Sequence, residues 1–189
     1  MFLQIVALST MAVFYTAYLA KILMQRKQGI QTDQIGKGNK ARKLLMIERL
    51  MKAATYFVIP VEIISIVGNF CLWNGFLRWV GLAVADLGVI VFVAAMATMR
   101  NSWRAGIPDN DQTELITTGI YTLSRNPAFL GFDMMYIGLL IAFFNVGHLL
   151  FVLFAVAMLH LQILQEEVFL TQVFGVSYLE YKKRTGRYI

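Results

Sequence analysis

The 189 residues are 58% hydrophobic with a mean hydropathy of +0.63, and the apolar residues come in long blocks, which places the chain among integral membrane proteins. Its net charge of +6 comes from basic residues that flank apolar segments rather than forming a soluble patch, so anionic lipid headgroups account for it better than nucleic acid does. The one cysteine, Cys71, lies inside an apolar run, which excludes an intramolecular disulfide and argues against a structural cysteine metal site.

Residues 2–24 form a near-continuous apolar run, long enough to span a bilayer at roughly 20 residues. No basic segment precedes it, and Lys21, Arg26 and Lys27 close it, so it reads as a first transmembrane helix rather than a cleaved signal peptide. Residues 25–52 are polar and basic, loosened early by Gly29, Gly36 and Gly38, and helical from Lys40 onward. A cytoplasmic connector obeying the charge bias is the simpler reading of this stretch, and a surface helix on anionic lipid the alternative. Residues 53–73 form the second span, with Pro60 expected to kink it and Glu62 inside it. A tight turn at 74–77 leads to the third span, 78–99, which carries Asp86.

Residues 100–125 read as a polar loop with Gly106, Pro108 and the acidic run Asp109-Asn110-Asp111. The fourth span, 127–145, starts at Asn126-Pro127, a good N-cap followed by proline at the first helical position. Such a start aims free N–H groups at the polar side and suits an anion. A turn at 145–148 leads to the fifth span, 149–164, which continues as helix through Gln165, Glu166 and Glu167. The tail from Phe174 to Ile189 is aromatic and basic. All Lys and Arg residues except Arg78 fall at the ends or loops of one side, and the positive-inside bias puts that side in the cytoplasm. The fold expected is therefore an all-α integral membrane protein of five transmembrane helices, N-terminus outside and C-terminus cytoplasmic. Residues 1–102 would hold three helices and the basic connector, and residues 103–189 two helices, the tail and the chemistry.

Two segments converge on the cytoplasmic side: residues 119–131, with Arg125 beside the helix start, and the polar end of the fifth helix. There His160, Leu164 and Glu167 share one face, and Gln162 and Glu166 form a neighbouring pair. Ionisable groups within apolar runs are functional candidates by default. Asp133, four residues after Phe129 and three before Tyr136, is placed to line the same cleft, whereas Glu62 and Asp86 read as structural. His148 and His160 stand about 18 Å apart along one helix and cannot share a metal ion. No zinc, phosphate-loop, serine-hydrolase or dinucleotide motif is present, so a nucleotide-like cofactor would have to be held by membrane helices and loops.

Leu115-Ile-Thr-Thr-Gly-Ile-Tyr121, Arg125-Asn-Pro-Ala-Phe129 with Gly131, Glu166-Glu167, and the Phe174-Gly175 to Arg184 tail follow one another in an order and spacing that resembles the isoprenylcysteine carboxyl methyltransferases and related membrane phospholipid methyltransferases. The resemblance covers roughly residues 103–189, and five spans suit a prokaryotic member. It implies transfer of a methyl group from S-adenosylmethionine to the carboxylate of a prenylated cysteine, with S-adenosylhomocysteine as product, at a site facing the cytoplasm. It further implies cofactor contacts from Leu115, Ile116, Tyr121, Asn126, Pro127, Ala128, Phe129, His160, Glu166 and Glu167, and substrate contacts from Asp133, Tyr136 and Gln162. Arg125 and Glu167 would be the catalytic pair, with Arg125 or a tail arginine (Arg184 or Arg187) orienting the substrate carboxylate. The expected partners are the bilayer and a lipophilic prenylcysteine-like substrate, with no nucleic acid and no metal.

Asn126 and Phe129 replace the family's usual His and Tyr, and Gln162 stands where some members have an arginine facing the substrate. A carboxylate acceptor is ionised at neutral pH and needs no general base. The nearest alternative is an amine or phospholipid headgroup methyltransferase, which would need one. A nicotinamide-dependent membrane sterol or enoyl reductase also resembles the C-terminal half. A small membrane scaffold or channel subunit would leave the ordered motifs unexplained.

Overall fold

The computed structural model describes residues 1–73, 75–108 and 114–189. Asn74 of the expected turn and the acidic run Asp109-Asn110-Asp111 lie outside the described residues. Six α-helices appear among them: α1 (Phe2–Lys27), α2 (Arg42–Val67), α3 (Phe76–Met99), α4 (Pro127–Ala142), α5 (Val146–Phe174) and α6 (Val176–Arg184). The described residues contain no strand beyond an isolated bridge between Asp33 and Ala105.

Four helices are long and apolar enough to cross a membrane: α1, α2, α3 with its short 3-10 extension to Ser102, and α5. The fourth expected span is the 16-residue apolar helix α4, shorter than the others. The expected break between a surface helix and the second span is absent. Residues 42–67 form one helix through Pro60, as membrane helices tolerate when neighbours re-satisfy the freed backbone. Gly175, at φ +52°, makes the sharp turn that separates α5 from α6, a conformation in which a side chain is strained.

The helices pack in the order α1, α3, α4, α5, α2, while α1 and α2 touch only sparsely. The seam between α3 and α4 is the most intimate, because glycines on both helices bring backbone against backbone: Gly81 against Gly138 and Ala142, Gly88 against Gly131 and Met135. Beside it, Phe14, Phe92 and Phe132 interlock with ring centroids 4.4–5.0 Å apart.

The α1–α2 connector is clipped to the segment after α3. Gln34 N–H donates to Ala105 O at 2.8 Å, and Ala105 N–H to Thr32 O at 3.0 Å. The fully buried Glu48 of α2 accepts from Gly36 N–H (2.7 Å), Ile107 N–H (3.2 Å) and the buried Lys40 ammonium (2.8 Å). Lys40 therefore faces inward, where the sequence suggested a lipid-facing or solvated charge. Lys40→Met is expected to lower unfolding stability by about 1.5–3 kcal/mol, the range for a hydrogen bond to a charged group. Two backbone donors would still hold Glu48. Denaturant titration in detergent measures the loss, and an unchanged midpoint would show the clamp to be idle.

Candidate active site

The third helix ends in a positive-φ residue, Arg100 (φ +48°), which turns the chain so that residues 103–108 run back across the helix ends. This run, the 3-10 turn Gly119–Thr122, the start of α4 and the last turns of α5 enclose a cavity of about 120 Å³. Its walls include the apolar side chains Trp103, Tyr121, Phe129 and Phe169 and the polar side chains Arg104, Arg125, Asn126 and Glu166. The cavity shares Met99, Ser102 and Arg104 with an open polar groove of about 1090 Å³ bordered by Glu114, Ile116 and Thr118. On its other side it shares Trp103, Ala128, Phe129 and Glu166 with a smaller apolar cavity of about 90 Å³.

The paired glutamates face different partners. Glu166 borders the cavity and accepts a hydrogen bond from Gln162 at 3.1 Å. Glu167 is buried and points to the C-terminal segment. It accepts from Arg125 Nη2 (2.8 Å) and from Arg187 through Nε (3.0 Å) and Nη2 (2.9 Å), with Lys182 Nζ at 3.9 Å. Its hydrogen bond raises the Arg187 guanidinium above its ordinary value. Arg125 also donates through Nη1 to the carbonyls of Thr185 (2.6 Å) and Lys182 (3.1 Å). Only its Nε, buried and without a partner among the described residues, is left over.

Asn126 takes the expected N-cap position ahead of Pro127, but its side chain makes no capping bond. Its amide donates instead to Arg187 O (3.2 Å) and, at 3.5 Å, to Glu167, because the C-terminal segment lies across the helix start. Gly186 O accepts from Arg125 N–H at 3.0 Å, and Arg187 O from Ser124 Oγ at 3.2 Å. His160 is also turned to this segment, with Nδ1 2.7 Å from Tyr188 Oη and the rings stacked.

The cavity thus brings together Tyr121, Arg125, Asn126, Ala128, Phe129 and Glu166 from the sequence-derived set. Ile116 borders the polar groove, and Leu115 packs with Tyr121, Tyr178 and Tyr181. Pro127 opens α4. Glu167, His160, Gln162 and Asp133 do not line the cavity, and Tyr136 lies on a separate lipid-side groove. Sequence reasoning missed Trp103 and Arg104, which look like ordinary loop residues. It also passed over Phe169 and Leu170, although they stand three and four residues after Glu166 on the same helix face. The surrounding phenols offer no base. Burial, with the nearby Glu166 carboxyl, raises Tyr121, and burial first and neighbouring groups second push Tyr178 and Tyr181 up to about 12.

A family model described as "Phospholipid methyltransferase" matches residues 76–177, from the start of α3 into α6. The chain belongs to this family. That agrees with the resemblance read from its motifs. Among curated relatives, one from Oryza sativa subsp. indica named "Probable protein-S-isoprenylcysteine O-methyltransferase" is 32% identical over 112 residues, 58% of this chain and 59% of that protein. "Protein-S-isoprenylcysteine O-methyltransferase A" of Arabidopsis thaliana is 35% identical over 104 residues, 53% of each chain. The Saccharomyces cerevisiae protein of the same type is 29% identical over 109 residues, 56% of this chain and 46% of that protein. The chain thus spans about half the length of the curated relatives it matches. The phospholipid methyltransferase match takes in the whole α3–α4 hairpin and the cavity, and leaves α1, α2 and the tail beyond Ser177 outside.

Proposed function

We propose that this membrane protein transfers a methyl group from S-adenosylmethionine to the carboxylate of an isoprenylated cysteine or a similar lipophilic acid. The observation that carries the reading is a series of adjoining cavities. The polar groove at the loop side shares lining residues with the site cavity, and the site cavity with the apolar cavity. That in turn shares Tyr18, Ile35, Thr55 and Phe132 with a groove between α1 and α2 bearing the exposed Leu19 and Tyr56. A water-soluble cofactor and a membrane-borne acceptor would thus reach one point from opposite sides. The names of the rice, Arabidopsis and yeast relatives support the prenylcysteine acceptor.

In topology we infer five spans, with α4 as a short fourth, the N-terminus outside and the C-terminus and site at the cytoplasmic face. The one-sided distribution of Lys and Arg supports this orientation.

The cavity's chemistry suits the cofactor. Trp103, Tyr121, Phe129 and Phe169 offer an apolar shell for an adenine ring, Glu166 a carboxyl for ribose hydroxyls or an ammonium, and Arg104 a cation for a carboxylate. When bound, S-adenosylmethionine supplies an electrophilic sulfonium methyl. The protein's part is to align the acceptor, exclude water and match charge, since an ionised carboxylate needs no proton removed. Arg104 borders all three cavities around the meeting point, so its charge serves a carboxylate held there. Arg125 holds Glu167 and the C-terminal segment, and so builds the wall.

The test uses detergent-purified protein, radiolabelled S-adenosylmethionine and N-acetyl-S-farnesylcysteine, with phosphatidylethanolamine as the competing acceptor. Base-labile methyl ester formed by the parent and lost in Glu166→Gln is the expected result. Label in the phospholipid headgroup instead would replace this acceptor by the headgroup amine. Folded protein that binds no S-adenosylhomocysteine would overturn the reading altogether.

A further inference from the structure

The groove between α1 and α2 has a polar floor that methyl transfer does not use. Its volume is about 580 Å³, and its walls are mainly apolar and aromatic, with Leu19, Ile22, Ile59 and Phe132 among them. Asp33 and Lys52 mark its rim, paired at 3.4 Å and part-exposed. Its inner end is different. Tyr15 and Tyr136 border it; their buried hydroxyls lie beside each other and meet no other hydrogen-bond partner among the described residues. Beside them stands Glu62 of α2, fully buried, with neither carboxyl oxygen partnered among the described residues. Tyr136 is fully buried as well.

These groups come from three different helices and converge at one depth. Glu62 follows Lys52 by ten residues on α2, and Tyr136 follows Asn126 by ten, so both lie about 15 Å below the level of the rim and of the cavity. Buried polar groups are normally paired, because desolvating them unpaired is costly and a carboxyl most of all. A plain hydrocarbon tail would leave the Glu62 carboxyl unsatisfied and offer the two phenols nothing beyond each other. Moreover, Tyr15 and Glu62 lie outside residues 76–177, in the half of the chain that the family match leaves out.

We infer that the floor formed by Tyr15 and Tyr136, with Glu62 behind them, binds an oxygen function, a hydroxyl or carbonyl, near the far end of the acceptor's isoprenoid chain. This rests on the acceptor reading above and narrows it to oxygenated polyprenyl lipids. A carboxyl and two phenols supply polar partners to such a group, while the apolar walls hold the chain between rim and floor.

The test compares N-acetyl-S-farnesylcysteine with its counterpart hydroxylated at the terminal carbon of the farnesyl chain. Binding to the full-length protein in phosphatidylcholine nanodiscs is followed by native mass spectrometry, without methyl transfer. The hydroxylated probe is expected to bind about tenfold more tightly, the scale of one buried hydrogen bond. Tyr136→Phe and Tyr15→Phe should each remove most of that advantage while retaining the plain probe, which also reports a folded groove. Equal affinity of the two probes in the parent overturns the inference, as does an undiminished preference for the hydroxylated probe in both variants. The binding readout separates this inference from the activity: ester formation without hydroxyl preference removes only the floor site, and hydroxyl preference without ester removes only the carboxyl acceptor.

Discussion

Glu167→Ala is expected to lower the unfolding free energy by about 3–5 kcal/mol, as removal of one member of a buried ion pair does elsewhere. The carboxylate is buried at 4% exposure between Arg125 and Arg187, with hydrogen bonds of 2.8 to 3.0 Å. Without it the guanidinium groups of Arg125, almost wholly buried, and Arg187, part-exposed, face each other uncompensated. The C-terminal segment loses its ionic anchor, so trypsin should cut at Lys182, Lys183 and Arg184 faster than in the parent. Glu166→Gln one residue away should behave oppositely. Its stability should stay within about 0.5 kcal/mol, while S-adenosylhomocysteine binding weakens about tenfold or more through loss of a charged contact in the cavity. Denaturant titration and ligand binding on the two variants separate wall from pocket. A Glu167→Ala protein as stable as the parent would remove the strap from the account, and a Glu166→Gln protein with full affinity would remove the pocket assignment.

That pair of glutamates also marks where reading the sequence runs out. Two adjacent acids at the polar end of a helix announce a site, and helical spacing puts them about 100° apart, yet it does not say which one faces inward. The answer depends on Arg187, twenty residues downstream, beyond a short helix whose direction is set by one glycine at φ +52°. Asn126 does take the N-cap position read from the sequence, yet its side chain is turned to the distant Arg187 carbonyl in place of a capping bond. By contrast, the apolar blocks gave the helices well, because length and composition alone decide whether a segment can be buried in lipid. The family motifs at 115–121 and 125–131 were legible because they are contiguous. The clamp of Glu48 on Lys40, Gly36 and Ile107 was not, since it joins three segments with no common periodicity. The glycines at 81, 88, 131 and 138 carried a readable signal, two pairs each seven residues apart. It is visible only when the two helices are compared with each other and not each judged for hydropathy.

That glycine seam carries the other large expected effect. Gly138→Leu should yield little or no monodisperse folded protein in detergent. A Cβ at Gly138 would collide with Ala85 N and sit 2.5 Å from Gly81 O, and one at Gly88 would sit 2.7 Å from Gly131 O and Met135 N. These neighbours are backbone atoms, so no rotamer change relieves the overlap, and the two helices must separate along their length. Ordinary overpacking of a core costs about 1–3 kcal/mol; here the separation also forfeits the close backbone packing that holds helices together in lipid, where no hydrophobic drive between them exists. The damage reaches the site, because α4 begins at Pro127 and carries Ala128 and Phe129 into the cavity. Ala83→Leu, on an exposed face of the partner helix α3, adds comparable bulk towards lipid and should leave elution, unfolding midpoint and S-adenosylhomocysteine binding unchanged. If Gly138→Leu matched Ala83→Leu in all three measurements, the α3–α4 contact would have to be looser than backbone against backbone, and the position of the cavity would need another support.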